Sequence, residues 1–484
     1  MVENGGQRKV LAEPNRTEQD VIGENAKTSP SRARGWPNEL EDISYVTTHN
    51  KINTMAMTFQ ETQSSQAADV EHFDLVCVGF GPASLAIAIA LHDRGIKPRV
   101  RYLERQPEFK WHAGMLLPDA RMQISFIKDL ATLRDPTSKF TFLNYLRCQN
   151  RLVAFTNLST FLPLREEYND YMTWCASHFD SQVQYGQETV SVTPTKGPSG
   201  RVESWRIVSR DMVTNEQSTV SARHVVVAVG GKPKIPAALQ DLASDSRIIH
   251  SSSYSHIRPK LSSAKNIAVV GGGQSAAEIF KDLQSRLANT NITLYTGKST
   301  LKPSDDSPFV NEVFDPDKVD TFYDLAPKIQ QDTLKSNRST NYGVVRPELL
   351  DKLYESMYHQ RLHQADESKW QHRIIPWREV VGYAKQNDGT IRLKLRDTSN
   401  DTVIFGEPAF DLVFVATGYL RNAHETLLAP TQSLLETGSF VVGRDYKVRY
   451  RRDEVNDNSG IWLQGCCEGS HGVSTERNRQ DLRH

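Results

Sequence analysis

The sequence predicts an α/β protein: two Rossmann-like dinucleotide-binding domains and a smaller, mostly helical substrate region. Three observations carry this expectation. A short apolar run passes through a glycine turn into an apolar helix pattern twice, at 76–91 and again at 267–279, and each is followed by another short apolar run. That order reads as strand, tight turn, helix, strand. A third strand-like run, Asp411-Leu412-Val413-Phe414-Val415-Ala416, leads into Thr417-Gly418-Tyr419. Between the second unit and that run, 303–374 turns helical in texture and rich in Tyr, Asn and acids.

Taken in order, residues 1–70 are polar, poor in aliphatics and without sustained period, and read as a disordered leader. Glu3, Glu13, Glu18, Asp20 and Glu24 are too many acids for an organelle transit sequence. In the first glycine unit, Val76-Cys77-Val78 enters Gly79-Phe80-Gly81-Pro82-Ala83-Ser84 and then an apolar helix. Gly79 permits the tight turn, Gly81 lets the backbone approach a pyrophosphate at the helix N-terminus, and the small Ser84 permits close helix-to-strand packing. Glu104 ends the next strand about 20 residues on, where a carboxylate accepts hydrogen bonds from a ribose. This half is assigned to FAD.

In the second unit, Ile267-Ala268-Val269-Val270 enters Gly271-Gly272-Gly273-Gln274-Ser275. The strand after its helix is followed by Gly297-Lys298 rather than by an acid, and a cation there suits a ribose 2′-phosphate. This half is assigned to NADPH. Tracts 191–208 and 390–410 alternate polar and apolar residues as antiparallel strands do. The expected organisation is a leader at 1–70, a first part of the FAD-binding domain at 71–240 and a first part of the NADPH-binding domain at 241–300. A substrate-binding region follows at 301–375, return strands of the NADPH domain at 376–415, and the second part of the FAD-binding domain at 416–484.

Composition excludes several classes. With 58 Lys+Arg against 58 Asp+Glu there is no basic field for a nucleic acid or an anionic membrane. The longest apolar stretch, 85–91, is far short of the roughly 20 residues that span a bilayer. Five cysteines without C-x-x-C spacing argue against a disulfide framework and against a zinc site, and favour a reducing, cytoplasmic location. His359 and His363 lack the glutamate of a zinc-binding H-E-x-x-H motif, and no metal site is expected. The vicinal Cys466-Cys467 pair reads as packing rather than redox chemistry, and Asp305 and Asp306 as turn caps. Two dinucleotide sites in one chain imply hydride transfer from a nicotinamide to a flavin. A disulfide reductase lacks its cysteine pair here, whereas a flavin reductase and a monooxygenase stay open.

The stretch MQISFIKDLATLRDP at 122–136 resembles the fungal-type L-ornithine N-delta-monooxygenases of siderophore biosynthesis. Further blocks support the resemblance over roughly 73–474. They are Trp111-His112, FTFLNYL at 140–146, QSAAE at 274–278, SDDSPFVNE at 304–312, Asn341-Tyr342 and ATGY at 416–419. Related flavin monooxygenases carry F-x-G-x-x-x-H-x-x-x-[YW] between their glycine motifs; only its second half is present, from His250 to Tyr254, which favours the N-hydroxylating branch.

The resemblance implies that NADPH reduces FAD, that dioxygen adds to give a hydroperoxyflavin, and that the ornithine side-chain amine is hydroxylated to N-delta-hydroxyornithine. A free alkylamine has a pKa near 10.4, so a pocket that uses the neutral amine should be partly desolvated and lined with neutral acceptors. Asn311 and Asn341 suit that need. By resemblance Lys128 handles the amino-acid carboxylate, Asn311, Glu312, Val313 and Phe314 line the substrate site, and Asn341 lies where substrate and NADPH meet. FAD falls to Gly79, Gly81, Pro82, Ser84, Glu104, Arg105, Trp111, His112, Gln123 and Thr189, with Thr417 and Gly418. NADPH falls to Gly271, Gly272, Gly273, Gln274, Ser275, Lys298, Asn341, Tyr342 and Gly343. No residue is assigned an acid-base role. The family pattern also implies a homotetramer. After Ser470-His471-Gly472-Val473-Ser474 the sequence departs from the family's D-[ST]-L-L-S turn, whose serine contacts ornithine. That departure raises a second reading, an uncoupled NADPH-oxidising flavoprotein or a nucleotide-binding pseudoenzyme.

Overall fold

Strand β1 (His72–Val78) buries Phe73, Leu75, Val76, Cys77 and Val78 and runs parallel to β2 (Val100–Leu103) and β6 (Gln217–Val227). The computed structural model describes residues 70–473, without the side chains of 338, 339 and 341; the leader up to residue 69 and the departure after Ser474 lie outside the described residues. The helix Pro82–Asp93 is apolar on all sides, because it is enclosed between this sheet and the helix Arg165–Ser177.

Strand order in this sheet is β3-β2-β1-β6-β5-β4, with β3 at Val183–Gln184, β4 at Gln187–Lys196 and β5 at Val202–Asp211. The long β6 serves two purposes. Its first half carries the antiparallel β4–β5 excursion, and its last residues pair in parallel with β17 (Gly460–Leu463), which brings that later segment back beside the strand that ends at the first glycine turn.

A second sheet is parallel throughout, in the order β11-β10-β9-β15-β8. Its strands are β8 (Ile248–His250), β9 (Asn266–Val270), β10 (Asn291–Tyr295), β11 (His372–Ile375) and β15 (Leu412–Val415). Such a sheet is covered on both faces, hence the continuous apolar runs of β9 and β15. The tract before β15 forms a separate antiparallel sheet, β12 (Arg378–Lys385), β13 (Ile391–Asp397) and β14 (Thr402–Phe405). A two-stranded ribbon of β7 (Lys232–Pro233) and β16 (Tyr419–Leu420) joins the segments that pass between the two parallel sheets. The helices Pro327–Asn341 and Pro347–His363 lie in the tract read as helical.

Two histidines make the fold sensitive to acid. His224 on β6 packs against Trp462 of β17 at 5.3 Å and is pulled down to about 4 by burial, with Arg223 and Lys447 adding to it. His372 on β11 is also lowered to about 4, by burial and then by Lys281. A histidine whose folded pKa is depressed binds its proton more readily in the unfolded chain. Its contribution is therefore complete above pH ~6.5 and is lost as pH falls toward the folded value, up to about 3 kcal/mol for each. Thermal melts should decline steadily from pH ~6.5 to ~4.5, and the paired His224→Asn and His372→Asn variant should show a flatter decline. An identical slope would remove these histidines as its source.

Candidate dinucleotide and substrate sites

The first glycine turn is held from three sides. Gly79 has φ +90°, and a Cβ there would come 2.7 Å from the Ala228 carbonyl oxygen, so only glycine fits where β1 and β6 end together. Around Gly81 the opposite holds, since a Cβ would meet nothing within 4 Å. Pro82 then opens the helix and Ser84 is buried in its first turn. Open space at a helix N-terminus, with backbone N–H groups directed into it, fits the pyrophosphate of FAD. Glu104 fixes the end of β2, its Oε2 accepting from Phe80 N–H at 2.7 Å and its Oε1 from Gln106 N–H at 2.8 Å. Trp111 N–H donates to Asn169 Oδ1 at 2.8 Å, and the Trp111 and His112 rings lie 5.0 Å apart. Arg105 is exposed near Glu188, Gln123 is half-buried, and Thr189 stands at a bulge in β4.

The second turn gathers residues far apart in sequence. Gly271 has φ +148°, a conformation that side-chain-bearing residues rarely adopt, with its missing Cβ 2.4 Å from the Ala416 carbonyl oxygen, and at Gly272 a Cβ would sit 2.4 Å from Thr296 Oγ1. Gly273 caps the helix Gln274–Arg286 and faces Gly343, at 3.1 Å from its would-be Cβ to Gly343 Cα. Lys298 reaches the same place, its Nζ donating to the Gly343 carbonyl at 2.9 Å. The structure thus brings Gly271, Gly272, Gly273, Lys298 and Gly343 together around one helix N-terminus, a setting that fits a second dinucleotide. Ser275 lies in the first turn of that helix. The Gln274 side chain is already committed: Nε2 donates to Glu278 Oε1 and Oε1 accepts from Arg346 N–H, both at 2.8 Å.

Between the two turns lies a cluster only half visible in the sequence. Thr417 Oγ1 donates to the Lys234 carbonyl, and Gly418 takes φ +83°. His250 is buried, and its Nε2–H donates to the Gly418 carbonyl at 3.0 Å while Nδ1 accepts from Ser252 N–H at 3.1 Å. Burial holds His250 below the ordinary histidine range, against the Gly418 contact, so the imidazole is neutral with its proton on Nε2. Tyr419 stacks edge-on against His250 at 5.1 Å and lies 6.1 Å from His112. In the sequence His250 stands out only as the start of a partial motif that runs to Tyr254, whose spacing is the one local signal for its place here.

In the helical region, Asn311 Nδ2 donates to the Asp306 carbonyl at 2.9 Å. A carbonyl only accepts, so the amide is oriented with Oδ1 left as an acceptor. Asp305 caps the same turn through Ser307 N–H at 2.9 Å. Glu312 and Val313 border a cleft of about 270 Å³ shared with Phe322, His471, Gly472 and Val473. Phe314 is buried. Tyr342 Oη donates to Glu468 Oε2 at 2.7 Å, tying the segment beside Gly343 to the last described helix, Glu468–His471. Asn341 ends the helix Pro327–Asn341, and its side chain lies outside the described ones. Lys128 is half-buried after Ser125, with its carbonyl accepting from Tyr168 Oη; no hydrogen bond joins Lys128 to Asn311 among the described residues. His359 and His363 are exposed, with rings 4.9 Å apart. Among the described residues no His, Cys, Asp and Glu group could hold a metal ion, and no helix is long and apolar enough to cross a membrane.

Residues 71–421 match the model of the L-lysine 6-monooxygenase/L-ornithine 5-monooxygenase family. The chain belongs to this family. It is 52% identical over 419 residues to an L-ornithine N(5)-monooxygenase of Ajellomyces capsulatus, across 85% of this chain and 88% of the relative. Among solved structures it superposes on the ornithine hydroxylase PvdA of Pseudomonas aeruginosa with a TM-score of 0.78 at 36% identity, covering 84% of this chain and 95% of that one. The ornithine N-hydroxylase KtzI of Kutzneria sp. 744, with reduced FAD, NADP+ and L-ornithine, gives a TM-score of 0.77 at 32% identity over 84% and 95%. The chain thus shares the α/β fold of these ornithine hydroxylases, flavin monooxygenases with Rossmann-type domains.

Proposed function

We propose that this chain uses NADPH, FAD and dioxygen to hydroxylate the side-chain amine of L-ornithine to N-delta-hydroxyornithine, an early step of hydroxamate siderophore biosynthesis. The observation that carries the reading is the pair of glycine turns, each opening on a helix N-terminus, with the Thr417-Gly418 segment between them. The first turn, with Glu104, would hold FAD, and the second, with Lys298 and Gly343, would hold NADPH. Bound together, these cofactors supply the electrons by which one oxygen atom of dioxygen is inserted and the other leaves as water.

The chain's own residues then have distinct tasks. Lys128, a flexible point charge, holds the amino-acid carboxylate. Asn311 offers an uncharged acceptor that does not keep the amine protonated as a carboxylate would. The cleft beside Glu312 and Val313 receives the aliphatic part. Neutral His250 keeps the Gly418 turn in place between the two nucleotide sites. The same reading includes a homotetramer in the cytoplasm, supported by the family resemblance and by five cysteines that are all free.

The relatives favour this reading over an uncoupled oxidase. The deciding experiment measures hydroxylamine formed per NADPH oxidised by FAD-supplemented protein, with ornithine and lysine side by side. Near-stoichiometric hydroxyornithine is expected; NADPH consumption matched by peroxide with either amine would overturn it. Lys128→Ala should raise the ornithine KM roughly 10- to 100-fold, the loss of a charge-assisted contact, while flavin reduction by NADPH stays intact. An unchanged KM would sink that assignment.

A further inference from the structure

Lys128 stands in a stretch that belongs to neither helix nor strand, so no regular ladder fixes where its side chain begins. Its neighbour Asp129 supplies the missing order. Asp129 is 2% exposed, and its carboxylate accepts four hydrogen bonds. Oδ1 accepts from Ala131 N–H at 2.9 Å and Thr132 N–H at 2.6 Å, and Oδ2 from Thr132 Oγ1 at 2.7 Å and Phe142 N–H at 2.6 Å. The first three close a turn directly after Lys128. The fourth ties that turn to the first residue of the helix Phe142–Cys148. The helix Arg165–Ser177 grips the residues on either side of Asp129. Tyr168 Oη donates to the Lys128 carbonyl at 3.3 Å, and the buried Tyr171 Oη accepts from Leu130 N–H at 3.1 Å while donating to the Phe140 carbonyl at 2.8 Å. Lys128 N–H donates in turn to the Ser125 carbonyl at 3.0 Å.

A carboxylate is costly to bury, and burial pushes the Asp129 carboxyl up against the pull of its four donors. Only a group that accepts at both ends and donates at neither meets all four. An asparagine in its place would offer one accepting oxygen and turn an NH2 toward donors that already point at it. We propose that Asp129 is a positioning residue: it fixes the backbone of Lys128 so that the Lys128 ammonium meets the carboxylate of the amino-acid substrate. The inference rests on the reading of Lys128 as the residue that holds that carboxylate. A lysine head sits on a flexible four-carbon stem, so its reach is defined only as well as the backbone from which the stem starts. Fixing that origin lowers the ordering cost of each binding event. Asp129 is shut off from solvent and acts through the chain that carries Lys128.

The test uses full-length, FAD-loaded protein and compares Asp129→Asn, Lys128→Ala and the double variant by hydroxylamine formation at varied ornithine. Asp129→Asn should raise the ornithine KM about tenfold and lower kcat far less. A change that merely unfolds part of the molecules removes active sites and lowers kcat at unchanged KM, so this split separates positioning from stability. FAD content and the rate of flavin reduction by NADPH serve as references for an intact fold. In the double variant KM should lie within about twofold of Lys128→Ala alone, because a misplaced stem costs nothing once its ammonium is gone. Tyr168→Phe keeps the ring and removes only the hydroxyl on the Lys128 carbonyl, and should raise KM about two- to threefold. Where Asp129→Asn gives no FAD-loaded protein, Tyr168→Phe, alone and combined with Lys128→Ala, decides by the same two comparisons. An unchanged ornithine KM in these variants, or increases that multiply when combined with Lys128→Ala, would overturn the proposal and leave Lys128 in its role. An unchanged KM in Lys128→Ala itself would instead remove that role, and the positioning of Lys128 with it.

Discussion

Gly79→Ala should lower the melting temperature of FAD-free protein sharply, while Gly81→Ala should leave that melt nearly unchanged and empty the protein of FAD. The two glycines stand two residues apart, and their surroundings are opposite. At Gly79 the backbone is left-handed, at a cost of roughly 1–2 kcal/mol for any side-chain-bearing residue. The new Cβ would also sit 2.7 Å from the Ala228 carbonyl oxygen and 3.3 Å from Val229 Cα, so the ends of β1 and β6 must part. Backbone strain and overlap together put the expected loss at about 4 kcal/mol, among the larger values for a single substitution. Gly81 has φ −85° and ψ −169°, which alanine adopts freely, and its Cβ would point into empty space. If that space belongs to the FAD pyrophosphate, a methyl group there displaces the ligand rather than the fold, and retention of FAD through desalting should fall about 100-fold in affinity terms, near 2.7 kcal/mol. Equal losses of melting temperature in the two variants would show that the turn is a structural corner and not a cofactor cradle.

The glycine turns were legible because each demands a rare residue at a fixed place, and a local rule can be read locally. The same is true of Glu104, whose position one strand beyond the turn follows from the length of a β-α-β unit. Other parts of the site depend on pairings that no spacing encodes. The Lys298 contact to Gly343 spans 45 residues and the His250 contact to Gly418 spans 168. The sequence pointed to Lys298 as a cation after a strand, but only the folded chain shows it against Gly343. The antiparallel tracts were readable by alternation, yet alternation alone does not say that 191–208 extends the first sheet while 390–410 folds into a sheet of its own.

Arg165→Ala should cost about 3–5 kcal/mol of stability and raise the NADPH KM, although Arg165 opens the helix Arg165–Ser177 beside the first sheet and touches neither turn. Its guanidinium forks onto Glu278, at 2.8 Å from Nη2 to Oε1 and 3.0 Å from Nη1 to Oε2, and also donates to the Met115 carbonyl. Both side chains are largely removed from water, at 12% and 8% exposure, so solvent screens the pair weakly. Removing the arginine leaves the Glu278 carboxylate buried with Gln274 Nε2 as its remaining donor, and an uncompensated buried charge is the costly case. The disturbance then runs along connected groups. Gln274 holds Arg346 N–H, and Arg346 in turn pairs with Asp306 at 2.7 Å and Glu348 at 2.9 Å, so the helix N-terminus of the second turn and the Asp306 turn that orients Asn311 share one network. Replacing both partners with apolar residues, Arg165→Met with Glu278→Leu, removes the stranded charge and should recover most of the melting temperature. The NADPH KM should stay raised in that double variant, because Gln274 has still lost the carboxylate that aligns it. Recovery of both would mean that the ion pair acts on the nucleotide site through stability alone, and recovery of neither would mean that the cost comes from packing of the arginine stem and not from the buried charge.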